Sequence, residues 1–280
     1  MKFPTAPRER LAATTWPFRM YMLSPTNRWR DPKFPGMALK DFPAMIAAKF
    51  DLHNVELLAD HFPSTDKAYL QELREAVKKA GSHIIDIPVG GKASFYDPSP
   101  AKRQESIDYG KKWIDVAVAV GCPGVRLHIV GAKGVAPDVD RAAESLKQIA
   151  AYGAQRNVLV NLENDNLVTE DAFFIVRIID KVQSPYLHAL PDFANSMLSG
   201  DAAFNYDALA LMFRHAYNIS HMKDSEVGAH DRLYTVDVAR IFKIAEAANY
   251  RGYYSLEWEG RGGAYEGTSK LLKESLKYLS

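Results

Sequence analysis

Short runs rich in β-branched and aromatic residues recur along the chain, each followed by a longer stretch whose apolar positions repeat at helical spacing. That alternation predicts parallel β/α architecture. The predicted strands are 18–23, 55–59, 83–89, 124–129, 158–162, 187–190, 218–222 and 253–257. Helices are predicted over 38–50, 66–80, 100–120, 138–156, 169–181, 206–215, 236–248 and 267–279. Boundary signals agree with this division: Lys78-Lys79-Ala80-Gly81 stops the second helix and Thr169-Glu170-Asp171 opens the fifth. Strand–helix units in this number close naturally into one α/β barrel, the (β/α)8 or TIM barrel, spanning 1–280 as a single domain. A doubly wound open sheet is the competing arrangement of the same units. No linker rich in Pro, Gly or Ser divides the chain, and it carries no low-complexity segment or short-period repeat. Segment 24–36, with Pro25, Pro32 and Pro35, is the longest irregular stretch near a strand's C-terminal end and is a candidate lid.

Composition sharpens the picture by exclusion. The chain has 280 residues, 47% hydrophobic and 25% charged, which suffices for one large domain with a full core. Lys plus Arg number 35 against 34 Asp plus Glu, so the balance gives no general attraction to nucleic acid or to an anionic membrane. No apolar run approaches the roughly 18 residues of a membrane span. The first residues lack the apolar stretch of a secretory signal, which predicts a cytoplasmic protein. Cys122 is the single cysteine, so this chain can form neither an internal disulfide nor a thiolate metal cluster. Its place between a helix and a strand reads as a buried structural thiol.

In a barrel, side chains at the C-terminal strand ends point into the mouth, where chemistry concentrates. The later predicted strands each end on a residue able to bind a hard cation. Glu163 follows Val-Leu-Val-Asn-Leu, Asp192 follows Ala-Leu-Pro, His221 follows Asn-Ile-Ser, and Glu257 follows Tyr-Tyr-Ser-Leu. Neighbouring strands lie about 4.8 Å apart, so these positions can converge on one point. Carboxylates brought together repel one another unless a cation or a proton separates them. Three carboxylates and an imidazole suit one divalent ion, Mn²⁺ foremost, with Mg²⁺, Co²⁺ or Zn²⁺ as alternatives, and leave room for substrate oxygens. Strand alternation keeps two positions open, because Glu259 shares the face of Glu257 and Asp165 that of Glu163. Lys223 shares the face of His221 and is read as a substrate contact or a salt-bridge partner.

The segments NLEND, PDFANS, SHMKDSE and YSLEWEG, in this order, resemble the xylose-isomerase-like TIM barrel superfamily, the sugar phosphate isomerase/epimerase group that also includes endonuclease IV. The resemblance covers essentially the whole chain. It implies that Glu163, Asp192, His221 and Glu257 are the metal ligands, and that Glu163 and Glu257 also form the acid/base pair. A metal chelating a carbonyl and an adjacent hydroxyl stabilises the enediolate left when the intervening C–H proton departs, with a carboxylate as base. His61 and His128, at the ends of the second and fourth predicted strands, face the mouth as candidate contacts for sugar hydroxyls or as proton shuttles. Glu56, Arg126 and Asp86 have weaker claims. Trp16, Phe34, Phe62, Phe193 and Trp258 are candidates for a wall that stacks on a sugar ring.

One departure from the family pattern bears on the reaction. The ketose epimerases of the group carry Asp-x-x-His, and here the last position is Asn195, which can orient a hydroxyl but cannot carry a proton. The expected function is therefore a divalent-metal-dependent isomerase or epimerase of a sugar or keto-sugar. The alternative is a lyase or dehydratase of a 3-keto sugar, an inosose or an oxidised C-glycoside. Two further classes are an endonuclease IV-like phosphodiester hydrolase, opposed by Asn195 and by the neutral charge, and a non-catalytic sugar-binding barrel. The expected partners are a small-molecule sugar or keto-sugar and a second copy of the chain in a homo-oligomer, with no nucleic acid and no membrane.

Overall fold

The computed structural model describes residues 2–279. Strands β1 (Leu11–Thr14), β2 (Asn54–Glu56), β3 (His83–Val89), β4 (Gly124–Leu127), β5 (Leu159–Glu163), β6 (Leu187–Leu190), β7 (Ile219–Met222) and β10 (Tyr253–Leu256) form one parallel sheet. Its order is β6-β5-β4-β3-β2-β1-β10-β7. The two end strands meet and close the ring: His221 N donates to Pro191 O at 3.0 Å and Phe193 N to His221 O at 3.2 Å. The result is the predicted (β/α)8 barrel, and the open-sheet alternative falls.

Helices α1 (Phe42–Phe50), α2 (Lys67–Lys79), α3 (Pro100–Val120), α4 (Val139–Arg156), α5 (Ala172–Val182), α6 (Ala202–Phe213), α7 (Val238–Ala247) and α8 (Ala264–Leu279) surround the ring. Aspartates start many of them. Asp66, Asp138, Asp171, Asp201 and Asp237 each accept a backbone N–H of the first turn, satisfying a donor that the helix itself leaves unpaired. Most of the apolar core lies between ring and helices. A separate small cluster, Ala12, Ile85, Leu190 and Ile219, draws on four strands spread around the ring, so it can meet only inside the barrel. The interior also holds polar contacts: Asn161 Nδ2 donates to Asp86 Oδ1 at 2.8 Å.

Three expectations need correction. The first strand is not 18–23 but Leu11–Thr14. Segment 18–23 instead folds into successive tight turns, with Phe18 N bonded to Thr15 O and Tyr21 N to Phe18 O. This buries Phe18 and Met22, four residues apart, on one side. The fifth helix opens after Asp171 rather than at Thr169, and Glu170 is thereby freed for another role. An antiparallel hairpin, β8 (Ser225–Val227) with β9 (Leu233–Thr235), follows β7 and was not anticipated. Segment 24–36 is a loop, pinched at its base where Leu23 N bonds Met37 O and Met37 N bonds Tyr21 O. Among the described residues no helix is long and apolar enough to cross a membrane.

Candidate metal centre and substrate cavity

β5, β6, β7 and β10 run out at the same end of the barrel, each delivering one polar side chain. Glu163, Asp192, His221 and Glu257 are all buried, and one ligand atom from each lies within 4.8 Å of the others. His221 is the hub. Its Nδ1 is 2.7 Å from Glu163 Oε1, 3.3 Å from Glu257 Oε2 and 3.9 Å from Asp192 Oδ2. Its Nε2 faces the other way, 3.0 and 3.1 Å from the two oxygens of Glu56 on β2, and Glu56 also accepts the Ser255 hydroxyl at 2.7 Å. Glu56 thus holds the imidazole by its Nε2 side and turns Nδ1 toward the carboxylate-lined side.

Asp192 is prepared in the same way. Its Oδ1 accepts the N–H groups of Ala194 and Asn195 at 2.9 and 2.7 Å, while its buried Oδ2 faces the Lys223 ammonium at 3.3 Å and His221 Nδ1 at 3.9 Å. Three buried carboxylates and one imidazole converging within 4.8 Å are a mostly hard donor set, and it fits a divalent ion. The charge environment agrees. Burial alone would raise the Glu163 carboxyl, but Arg126, whose Nη2 is 2.9 Å from Oε2, and His221 hold it well below the usual carboxylate range. Asp192, with burial dominant, is pushed up instead. The structure therefore contains a buried site able to chelate a divalent metal ion.

The centre opens onto a cavity of about 660 Å³ whose wall includes Glu163, Glu257, Lys223, Arg126, His128 and Trp16. Lys223 is almost fully buried, and its ammonium binds Asn195 Oδ1 and Glu226 at 2.9 Å, Glu257 at 3.1 Å, Asp192 at 3.3 Å, and Glu259. Burial opposes its charge, yet these carboxylates more than compensate.

The sequence itself decides the kinship of this site. A family model described as xylose isomerase-like TIM barrel matches residues 45–280. The chain belongs to that family. No curated protein matches it by sequence. In structure this xylose isomerase-like barrel is similar to a D-allulose 3-epimerase from Methylomonas sp., at 13% identity and a TM-score of 0.74, covering 99% of this chain and 100% of that one. It is also similar to the 3-keto-D-glucoside 4-epimerase from E. coli, at 15% identity and a TM-score of 0.68, covering 96% and 98%. A third relative is a xylose isomerase-like TIM barrel protein from Mycobacterium smegmatis in complex with magnesium, at 16% identity and a TM-score of 0.67, covering 97% and 98%. At these identities the likeness is one of fold.

Within this xylose isomerase-like barrel the ambiguous positions separate. Glu257, not Glu259, joins the cluster around His221, and Asp165 joins a second cluster with His128 and Glu170. Lys223 and His128 line the cavity. Asn195 sits behind it, its Nδ2 3.4 Å from Glu163 Oε1 and its Oδ1 on Lys223, so it ties a site carboxylate to the lysine. His61 departs from expectation. β2 ends at Glu56 and the chain turns at Ala59–His61, so strand alternation no longer governs His61, which is buried outside the cavity wall. Burial, reinforced by Arg19, pushes its pKa down to about 3. Of the candidate stacking residues only Trp16 lines the cavity, joined by Trp29 from the 24–36 loop. Phe62 packs on Trp113, Phe193 on Phe242, and Trp258 is held under Lys270. Glu56 and Glu170 are the principal residues whose weight the sequence understated, because each becomes important only through a partner on a distant strand.

Proposed function

We propose that the protein is a divalent-metal-dependent isomerase or epimerase of a sugar or keto-sugar, moving a proton at the carbon next to a carbonyl. The observation that carries this reading is the convergence of Glu163, Asp192, His221 and Glu257 within 4.8 Å at the floor of a cavity. Support comes from the activities of the similar folds, a D-allulose 3-epimerase and a 3-keto-D-glucoside 4-epimerase. Glu163, Asp192, His221 and Glu257 would hold the ion, with Mn²⁺ as the preferred occupant of this mostly oxygen set and Mg²⁺, Co²⁺ or Zn²⁺ as substitutes. When bound, such an ion supplies Lewis-acid stabilisation of negative charge on a substrate oxygen.

Glu163 and Glu257 both face the cavity and serve as the acid/base pair. Asn195 stands where ketose epimerases place a histidine and carries no proton, so proton transfer at carbon rests on the two glutamates. Lys223 and His128 contact substrate oxygens, and Trp16 with Trp29 borders the outer part of the cavity. The test joins elemental analysis of purified protein to proton–deuterium exchange from candidate keto-sugars in heavy water. One divalent ion per chain, with exchange reduced at least about a hundredfold by Glu163→Gln or Glu257→Gln, is the expected result. Unchanged ion content and exchange in both variants would refute the assignment.

A further inference from the structure

The cavity extends well away from the metal centre. The quartet comes from β5, β6, β7 and β10, which are neighbours in the closed ring, so the loops after β1, β2 and β3 form the facing wall of the mouth. That wall carries Trp29, Asp60, Gly90 and Gly91, none of which belongs to the metal centre. Segment 24–36, a candidate lid by composition, is tied down along its length. Asn27 is 7% exposed, its Nδ2 donating to Arg19 O at 2.7 Å and Met22 O at 2.9 Å, and its Oδ1 accepting Trp29 N at 3.0 Å. Arg30 donates to Met20 O at 2.8 Å and Phe34 O at 2.9 Å. At the rim, Thr26 Oγ1 donates to Asp60 O at 2.8 Å and sets the loop beside the turn Ala59–His61. Trp29 therefore stands in a fixed place, perpendicular to Trp16 with ring centroids 5.8 Å apart, and still leaves 44% of its surface exposed.

Asp60 supplies a polar group beside this indole. Among the described residues its half-buried carboxylate has no hydrogen-bond or ion-pair partner, although it lines the cavity. The other acids of the cavity are committed: Glu163 to Arg126, Asp165 and Glu170 to His128, and Glu257 and Glu259 to Lys223. The same pairs occupy the cavity's inner cations, and only Arg28, 5.2 Å from the Trp29 ring centre, stands free at the rim. A phosphate or carboxylate would find one exposed arginine there and an unpaired carboxylate against it. An uncharged ring bearing hydroxyls suits the wall better, because its hydroxyls donate to a carboxylate while its C–H face packs on an indole.

We infer that Trp29 and Asp60 form a second sugar subsite, which holds a ring joined to the sugar at the metal centre, so that this barrel takes a disaccharide rather than a free monosaccharide. This deepens the function proposed above and rests on it for the occupant of the inner site. Trp29 packs on the apolar face of the outer ring, and Asp60 accepts its hydroxyls. The cavity of about 660 Å³ is of a size that takes ligands larger than one hexose. Because the loop is pinned before any ligand arrives, the outer ring meets a preformed wall and little ordering cost opposes its binding.

The experiment measures binding by calorimetry to the Mn²⁺-loaded protein, with glucose, phenyl β-glucoside and the disaccharides sophorose, laminaribiose, cellobiose, maltose and gentiobiose as probes. At least one disaccharide should bind about tenfold or more tightly than glucose. Trp29→Ala and Asp60→Ala should each lower that ratio at least about fivefold. Asp60 has no partner to lose, so its variant carries the test if Trp29→Ala does not fold. No disaccharide exceeding glucose, or a ratio unmoved by both substitutions, overturns the inference. Phenyl β-glucoside matching the best disaccharide, with an advantage that survives Asp60→Ala, assigns the wall to an apolar aglycone and overturns it as well. Proton–deuterium exchange from keto-sugars separates this from the reaction itself. Exchange without a disaccharide preference removes the subsite and leaves the isomerase reading, whereas a disaccharide preference without exchange removes that reading and leaves the subsite.

Discussion

Replacing Glu56 by Gln isolates the part of the site that touches no substrate and no ion. Glu56 is fully buried, takes Nε2 of His221 on both oxygens at 3.0 and 3.1 Å, and is held by Ser255 at 2.7 Å. Gln preserves volume and can still accept one hydrogen bond, so packing is retained while the negative charge behind the imidazole is lost. A charge-assisted hydrogen bond contributes about 1.5–3 kcal/mol and a neutral one about 0.5–1.5, a difference of roughly 1–2 kcal/mol. Outer carboxylates of this kind are worth about ten- to a hundredfold in metal affinity, and at about 1.4 kcal/mol per tenfold the two figures overlap at a ten- to thirtyfold loss. Competition with a chelator at fixed pH, monitored with Mn²⁺, measures it directly. A Glu56→Gln protein that binds within twofold of wild type would show that the imidazole is oriented by packing alone and that the Glu56 charge adds nothing to the metal centre.

Other consequences can be checked independently. Gly124→Ala places a Cβ 2.5 Å from Asp86 Oδ1 and 3.0 Å from Asn218 Nδ2. The entropic gain of about 0.4–1 kcal/mol from removing a glycine should be outweighed by overpacking of about 1–3 kcal/mol, so thermal melting should shift down by a few degrees; an unchanged or raised midpoint contradicts this. Cys122 is buried and its thiol is pushed up by burial and by Asp86. Native protein at pH 8 should therefore not react with a disulfide reagent until denaturant is added, and stoichiometric labelling without denaturant would disprove the burial. The Ser64 hydroxyl and the Tyr69 amide hold Asp66 below its ordinary pKa, so this cap stabilises α2 above the usual carboxylate range and the contribution is lost as pH falls through the lowered folded value. Asp66→Asn, itself a good cap, should flatten the acid side of the stability curve, as read from denaturant melts at several pH values; an unaltered slope counts against it.

The legible and illegible parts of the chain divide along physical lines. β3 and β6 lie at their predicted positions because their apolar runs are bounded by turn residues, and α3 spans Pro100–Val120 as predicted between a proline start and Gly121 in the left-handed region. β1 was hidden because Leu-Ala-Ala-Thr carries small residues without β-branched or aromatic emphasis, while the aromatic run after it has a four-residue spacing that suits turns. The four ligand candidates were legible because each lies at or just beyond the end of a predicted strand, where side chains enter the mouth of a barrel. Glu56 and Glu170 were not. The first meets His221 across 165 residues and the second meets His128 across 42, and such partners become neighbours only once the ring is closed and a helix start is set.

The electrostatic balance of the barrel ties these residues into one design. Glu56, Glu163, Asp192, Glu226 and Glu257 are all buried, yet only Arg126 and Lys223 supply permanent positive charge among the buried residues that contact them. Buried carboxylates in such excess are costly unless a cation or protons intervene. Protonation is the cheaper answer where chemistry does not need the charge, as at Asp86, which burial and Glu56 push well above the usual range. At the quartet that answer is blocked for Glu163, which Arg126 and His221 keep ionised. Arg126 therefore stabilises more than a local ion pair. By keeping Glu163 charged beside the buried carboxylates of Asp192 and Glu257, it makes a divalent ion, rather than a proton, the fitting counter-charge for the centre.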